Sequence, residues 1–147
     1  MISTTELRIG NLISFTAFTT MGQPTIKSDK VDGIVKQIDG VARVYVGGLW
    51  LSEEHINGLL LTAELLTKCG FAHYGSGGAQ EGKLMYNYYA LVSHDLFFSA
   101  EINPAGAINE LSVSANSDCR IIKPKKYRFL HNLQNLHYEL TGEEMTA

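Results

Sequence analysis

Short runs of β-favouring residues, separated by glycine-containing turns, dominate this sequence. The runs from Val31 to Ile38 and from Val41 to Val46 are joined by Asp39-Gly40. Asp-Gly between two such runs is the strongest short-range signal for a β-hairpin, because both central residues of a type I′ turn need a positive φ. The sequence therefore predicts that much of the chain folds as antiparallel sheet.

Further strand signals fill the first fifty residues. Leu7 to Phe15 is a predicted strand, the polar segment from Thr16 to Lys30 is a predicted loop, and Gly47-Gly48 is a predicted turn into the strand Leu49-Trp50-Leu51. A strand, a long loop, a tight hairpin and a short strand favour a small SH3-like barrel or a curled sheet. We expect residues 1–61 to form this β-rich N-terminal lobe.

Residues 62–147 are expected to form an α+β lobe that shares one continuous core with the first. Thr62 is a candidate N-cap and Gly70 a candidate stop for a short helix from Ala63 to Cys69. Asn103 to Gly106 suits a type I turn, with proline at its second position. An antiparallel meander is predicted from the strands Phe71 to Tyr74, Lys83 to Val92, Leu96 to Ile102, Ala107 to Val113 and Cys119 to Ile122.

The C-terminal segment carries the clearest helical periodicity. Phe129, Leu133, Leu136 and Leu140 recur at helical spacing, and Gly142 follows as a stop signal. This apolar stripe predicts an amphipathic helix packed on the sheet. The fold class is therefore α+β, with more strands than helices.

Composition and cysteine usage limit the class of protein. The chain is 45% hydrophobic and 18% charged with a net charge of −3, which excludes a disordered tail or a coiled coil. Cys69 and Cys119 lack a partner motif and fit reduced thiols. The N-terminus has no signal-peptide pattern, and no apolar run approaches the ~20 residues of a membrane span. We expect a cytoplasmic protein with no membrane partner.

One basic patch stands out on this acidic chain, and tyrosines cluster on one predicted strand. The strand carries Tyr86, Tyr88 and Tyr89, which either pack in a sheet or stack on a nucleobase. The bases are suited to phosphate contacts or to a solvated connector, while the net charge argues against general DNA binding. The five bases are Arg120, Lys123, Lys125, Lys126 and Arg128.

A second stripe of residues with hydrogen-bonding tips runs beside the apolar stripe of the C-terminal helix. It consists of Tyr127, His131, Gln134 and Tyr138. Such residues suit a wet interface with a ligand or partner, and they equally suit the boundary between core and solvent.

No metal or catalytic motif is present in the sequence. His131 and His137 are six residues apart, which places them about 240° apart around a helix, so no metal site is expected. We expect no cofactor and no enzymatic activity. The alternative is a Cys119 nucleophile with His131 or His94 as its base, although Cys119 lies in an apolar strand pattern where a buried thiol is usual.

Three segments resemble a family of small uncharacterised proteins of Bacteroidetes, their prophages and gut phages. They are Glu6 to Asn11 (ELRIGN), Leu61 to Phe71 (LTAELLTKCGF) and Leu130 to Glu144, which contains LQNL and LTGEE. In the family the middle segment usually has acids and tryptophan at the positions of Ala63, Glu64 and Leu65. The resemblance implies no catalytic residues. It implies a role in evading host defence, in sequestering a nucleotide signal or in binding a host enzyme.

These observations favour a non-enzymatic, cytoplasmic binding protein of phage or mobile-element type, acting in the host cytoplasm if phage-encoded. We expect a homo-oligomer that binds a small anionic nucleotide through the tyrosines and the basic patch, as a counter-defence protein would. The alternative is a protein- or RNA-interaction adaptor that binds a host partner through the N-terminal barrel and the stripe of His131 and Tyr138.

Overall fold

The structure is a computed structural model that describes residues 3–36, 41–78, 85–115, 118–122 and 128–147. The chain divides into two compact units. Unit 1 comprises Met1–Leu59 and Leu130–Asn135, and unit 2 comprises Leu60–Phe129 and Leu136–Ala147. Each unit contains a five-stranded antiparallel sheet, so the fold is β-rich as predicted.

The sheet of unit 1 has the strand order β4-β3-β2-β1-β5. Short 3₁₀ helices at Thr4–Glu6 and Glu53–His55 precede β1 and β5. The strands are β1 (Leu12–Phe18), β2 (Pro24–Lys36), β3 (Ala42–Val46), β4 (Leu49–Ser52) and β5 (Ile56–Asn57).

Strand β2 is far longer than predicted. Its first half pairs with β1, from Phe18 opposite Pro24 to Leu12 opposite Lys30. Its second half pairs with β3, after a bulge between Val31 and Gly33. The prediction of a loop from Thr16 to Lys30 is therefore wrong, except for the short turn between β1 and β2. Residues 24–30 are all exposed, so this half of the strand has no buried face and shows no apolar alternation.

The first strand begins later than predicted, at Leu12 instead of Leu7. Gly10 adopts a φ of 92°, and its N–H donates to the carbonyl of Val31 at 2.8 Å. This turn directs the chain into β1. The core that follows is apolar: Ile13, Val44, Val46 and Ile56 are completely buried.

Turns of unit 1 follow their local sequence. Gly47 and Gly48 have φ values of 54° and 83°, which confirms the predicted turn between β3 and β4. The pairing of β2 with β3 confirms the partners of the predicted hairpin. The turn residues Asp39 and Gly40 lie outside the described residues.

Unit 2 contains the predicted meander, with the order β10-β9-β8-β7-β6. Buried Phe98, Ala100, Leu111 and Val113 form the apolar face of its central strands. The predicted residues Lys83 and Leu84 lie outside the described part of the chain. The elements are α1 (Ala63–Lys68), β6 (Ala72–Gly77), β7 (Tyr86–Ser93), β8 (Leu96–Ile102), β9 (Ile108–Ala115) and β10 (Asp118–Ile122).

Caps and turns of unit 2 also match the sequence. The Thr62 hydroxyl accepts a hydrogen bond from the Leu65 N–H at 3.3 Å, and Gly70 adopts a φ of 88° after α1. The N–H of Gly106 donates to the carbonyl of Asn103 at 2.8 Å, which confirms the predicted four-residue turn.

The C-terminal helix α2 spans Leu130–Thr141 and ends at Gly142, whose left-handed φ of 76° confirms the predicted stop. Residues 130–135 of α2 belong to unit 1 and the rest to unit 2. Leu133 is completely buried, but Leu140 is 47% exposed. The apolar stripe is thus shorter than its spacing predicts.

Candidate interaction site

A groove of about 630 Å³ lies in unit 1, between the C-terminal end of β1 and strand β4. Its lining includes Phe18 of β1 and Leu49, Trp50 and Leu51 of β4. The groove is broad enough to hold several side chains of a ligand. We call it the Trp50 groove.

Trp50 lies on the face of β4 that is turned away from the core, because side chains alternate along a strand. On β4, Leu51 faces β3 at Val44 and packs against the core, so its neighbour Trp50 lies on the other face. The indole ring packs on Tyr45, with ring centroids 5.0 Å apart, and remains 50% exposed. Phe18 is 63% exposed. Large aromatic side chains left this open are typical of binding surfaces.

Both strands beside the groove have a side that no strand of the described chain occupies. Strand β4 is at the edge of the sheet. Strand β1 pairs with β5 only at Ser14 and Phe15, so its last residues are paired on the β2 side alone. The groove therefore lies against unpaired strand edge.

Charged groups surround the aromatic residues. Nε of Arg43 is buried, and within the described part of the chain it has no hydrogen-bond partner. The carboxylate of Glu54 is better satisfied, since the Ser52 hydroxyl donates to it at 3.0 Å and Nδ1 of His55 lies 3.7 Å away. The Arg43 guanidinium is the group best placed to attract a ligand anion.

Most of the predicted basic patch lies outside the part of the chain that the structure describes. Lys123, Lys125, Lys126 and Tyr127 lie outside the described residues, and only the backbone of Arg120, in β10, is described. Arg128 is exposed, with its guanidinium carbon 4.7 Å from the centre of the Phe129 ring. It borders a cleft of about 490 Å³ in unit 2, whose other walls include Leu60, Leu61 and Ile108.

The three predicted tyrosines do not share one surface. Tyr86 and Tyr88 lie on one face of β7, while Tyr89 lies on the other and meets His73 with ring centroids 5.3 Å apart. Tyr74 projects from a bulge of β6 and packs on Tyr88, at a centroid distance of 5.9 Å.

Carboxylates accompany Tyr88. Glu101 lies opposite Tyr88 on β8, and Glu110 lies opposite Glu101 on β9. Partial burial raises the pKa of Tyr88, and the charge of Glu101 raises it further. Strands β8 and β9 separate β7 from β10, a distance of about 14 Å at the usual strand spacing. The backbones of Tyr88 and Arg120 therefore belong to strands that are not neighbours.

The second stripe of α2 is largely internal. His131 and Gln134 are 0% and 1% exposed, whereas Tyr138 is 38% exposed. Oε1 of Gln134 accepts a hydrogen bond from the N–H of Leu12 at 2.9 Å. Nε2 of His131 lies 3.9 Å from Oε2 of Glu6. Burial lowers the pKa of His131, and the Glu6 carboxylate opposes that shift. His131 and Gln134 thus do not form the wet interface that their spacing allowed.

The alternative of a Cys119 nucleophile needs His94 or His131 nearby as a base. The side chain of Cys119 lies outside the described part of the chain. His94 lies at the turn between β7 and β8, with Nε2 3.1 Å from Oε1 of Glu143. His131 is buried in unit 1. Burial raises the pKa of the other thiol, Cys69, to about 11, so Cys69 is a poor nucleophile at neutral pH.

Sequence reasoning missed Phe18, Arg43 and Trp50. A signal for Trp50 was available, because alternation along Leu49-Trp50-Leu51 puts the tryptophan opposite to its two leucine neighbours. Arg43 gave no signal in the sequence, because its surroundings come from other strands. Strand β1 is distant in sequence, and β4 lies beside Arg43 only because the two strands pair in the sheet.

Comparison with protein-family models gives no match for this chain. Curated proteins and solved structures give none either. Among the described residues, no helix combines the length and the apolar character needed to cross a bilayer. No group of three or more His, Cys, Asp or Glu in that same part of the chain is arranged to hold a metal ion.

Proposed function

We propose that this protein is a non-enzymatic interaction adaptor that binds a partner protein through the Trp50 groove. The observation that carries this proposal is that the half-exposed Trp50 and the exposed Phe18 line the same groove of about 630 Å³. Tryptophan is enriched among the residues that dominate binding energy at protein interfaces, where it fills pockets on the partner or receives side chains from it.

We infer further that unit 1 is an SH3-like barrel. The support is its strand order, its long β2 shared between two partners through a bulge, and the 3₁₀ turn at Glu53–His55 that leads into β5. Small barrels of this type serve many functions, so the fold alone does not define the partner. The resemblance to a phage-associated family supports a protein of the host cytoplasm as the partner.

A comparison of the purified wild type with two variants tests the adaptor. The wild-type chain, immobilised and exposed to host lysate, should retain a stoichiometric protein that can be reconstituted from purified components. Trp50→Ala should lose this partner, while Tyr74→Ala, which removes a 57% exposed aromatic ring from unit 2, should keep it. Retention of the partner by Trp50→Ala, or recovery of RNA in its place, would contradict the proposal.

A second candidate function is the binding of a small anionic ligand, such as a nucleotide. It is favoured by Arg128, which borders the cleft of about 490 Å³ beside apolar Leu60 and Ile108. An apolar pocket with one well-placed cation suits a ligand with a ring and a phosphate. Calorimetry with mono-, di- and cyclic nucleotides tests this candidate. Heat that disappears in Arg128→Gln supports it, and no heat from any nucleotide rejects it.

Self-association is a separate proposal. Val92 and Phe97 face each other across β7 and β8 and are 72% and 40% exposed, which leaves an apolar pair open on the sheet. Native mass spectrometry of the wild type and of Val92→Lys tests it. We expect an oligomer in the first sample and a monomer in the second, and a monomeric wild type would refute the proposal.

A further inference from the structure

The Trp50 groove offers backbone as well as side chains. Strand β4 extends over four residues, Leu49–Ser52, at the edge of the sheet. An edge strand presents a row of N–H and C=O groups that pair readily with another extended chain. At about 3.3 Å per residue, β4 has room for a partner strand of roughly four or five residues.

The side chains along this edge define what such a strand would carry. Successive side chains of a strand alternate between its two faces, so every second residue of an added segment reaches the same wall. Trp50 and Phe18 form an apolar wall that suits a large aliphatic or aromatic side chain.

Arg43 sets the charge of the segment. It borders the groove, lies opposite Ser52 of β4, and has a buried Nε without a hydrogen-bond partner in the described part of the chain. The guanidinium group of Arg43 carries a positive charge beside the groove, and a carboxylate pairs with a guanidinium through strong, charge-assisted hydrogen bonds. Glu54, the acidic residue of the groove, is already held by Ser52 and lies near His55.

We propose that the Trp50 groove binds an extended segment of the partner protein that adds a strand to the edge of β4. An apolar side chain of the segment packs between Trp50 and Phe18, and an aspartate or glutamate of the segment pairs with Arg43. This inference rests on the proposed adaptor function and specifies its partner: a short, acidic and apolar linear segment.

Binding in the groove can be followed by fluorescence, because Trp50 is the only tryptophan of the chain. The probe is a peptide selected against the full-length protein from a random twelve-residue library. Selected peptides should share an acidic residue within two positions of a large apolar residue, and they should shift the emission of Trp50. A library that yields no peptide, or peptides without that acid, overturns the proposal.

Two chemical changes to the selected peptide test its conformation and charge. Two peptides are compared, one methylated on the backbone nitrogens of its odd-numbered residues and one on those of its even-numbered residues. One set should weaken binding at least tenfold and the other should have little effect, because a strand pairs through every second residue. Replacing its acid by the corresponding amide should weaken binding to the wild type at least tenfold and leave binding to Arg43→Gln unchanged. Equal effects of both methylation sets, or of the amide on both proteins, contradict the strand or the ion pair.

The variants separate this inference from the adaptor function. Phe18→Ala should weaken peptide binding at least tenfold while Tyr74→Ala, its control on unit 2, binds as the wild type does. A lysate partner that needs Trp50 but shows no competition with the peptide overturns the strand-addition proposal and leaves the adaptor function standing. If the wild-type protein binds neither a lysate partner nor a peptide, the adaptor function is rejected as well.

Discussion

Asn11 and Asn135, which are 124 positions apart, are joined by a hydrogen bond of 2.9 Å from Nδ2 of Asn11 to Oδ1 of Asn135. Asn11 also accepts from the N–H of Arg8 at 2.8 Å, and Asn135 donates to the carbonyl of Glu6 at 2.8 Å. The start of α2 is thereby fixed to the segment that leads into β1. These amides connect the ELRIGN and LQNL segments, which gives both a structural role within unit 1.

Replacing Asn135 by alanine should therefore destabilise the protein. Asn11 is completely buried, so it would lose its partner in a place that water does not easily reach. We expect the free energy of unfolding to fall by about 1–3 kcal/mol, as measured by urea denaturation. Asn132→Ala, one turn earlier on the same helix, is the matched control and should change it by less than about 0.5 kcal/mol. Equal losses in the two variants would refute this role.

Local signals predicted the elements whose ends are defined by a few neighbouring residues. Thr62 and Gly70 define α1, Gly142 ends α2, and the Asn103 to Gly106 turn joins β8 to β9. In each case a cap or turn needs only residues close in sequence. The first half of β2 was missed because its side chains face solvent on both sides and its stability comes from pairing with β1.

The candidate site was harder to predict for the same reason. His131 and Gln134 have the spacing of a surface stripe, but Gln134 is buried because it accepts from Leu12, 122 positions away. The side chains of four of the five predicted bases lie outside the described residues. Tyr88 lies beside Glu101, since the strand order places β8 next to β7. Such partners follow from topology, which alternation within one strand does not reveal.

The buried His131 should make stability depend on pH. Burial lowers its pKa in the folded protein, so the unfolded chain takes up a proton near its ordinary pKa of about 6.5 that the folded protein does not. The contribution is therefore present above about pH 6.5 and is lost as the pH falls below it, at no more than about 1.4 kcal/mol per pH unit.

Urea denaturation at pH 7.5 and 5.5 measures this contribution. His131→Leu should show a smaller loss of stability between the two values than the wild type, whatever its stability at pH 7.5. His73→Gln, which removes an exposed imidazole, should retain the full difference. An unchanged difference in His131→Leu would show that other groups cause the pH dependence.

The thiol of Cys69 should be protected in the folded protein. Its pKa is raised to about 11 by burial, so its thiolate fraction at pH 8 is about two orders of magnitude below that of an ordinary thiol. We expect Cys119→Ser, which leaves Cys69 as the only thiol, to react with a disulfide reagent about a hundredfold more slowly when folded than in urea. Comparable rates in the two states would contradict the burial of Cys69.

Tyr88 should ionise at a higher pH than an ordinary tyrosine, because partial burial and the carboxylate of Glu101 both oppose its negative charge. Alkaline titration followed at 295 nm should therefore lose its late-titrating part in Tyr88→Phe. In Glu101→Gln that part should move to lower pH, since the neighbouring charge is removed while a hydrogen-bonding group remains. Glu139→Gln, which removes an exposed carboxylate of α2, should titrate as the wild type does. An identical titration curve for Glu101→Gln and the wild type would show that the charge of Glu101 does not raise the pKa of Tyr88.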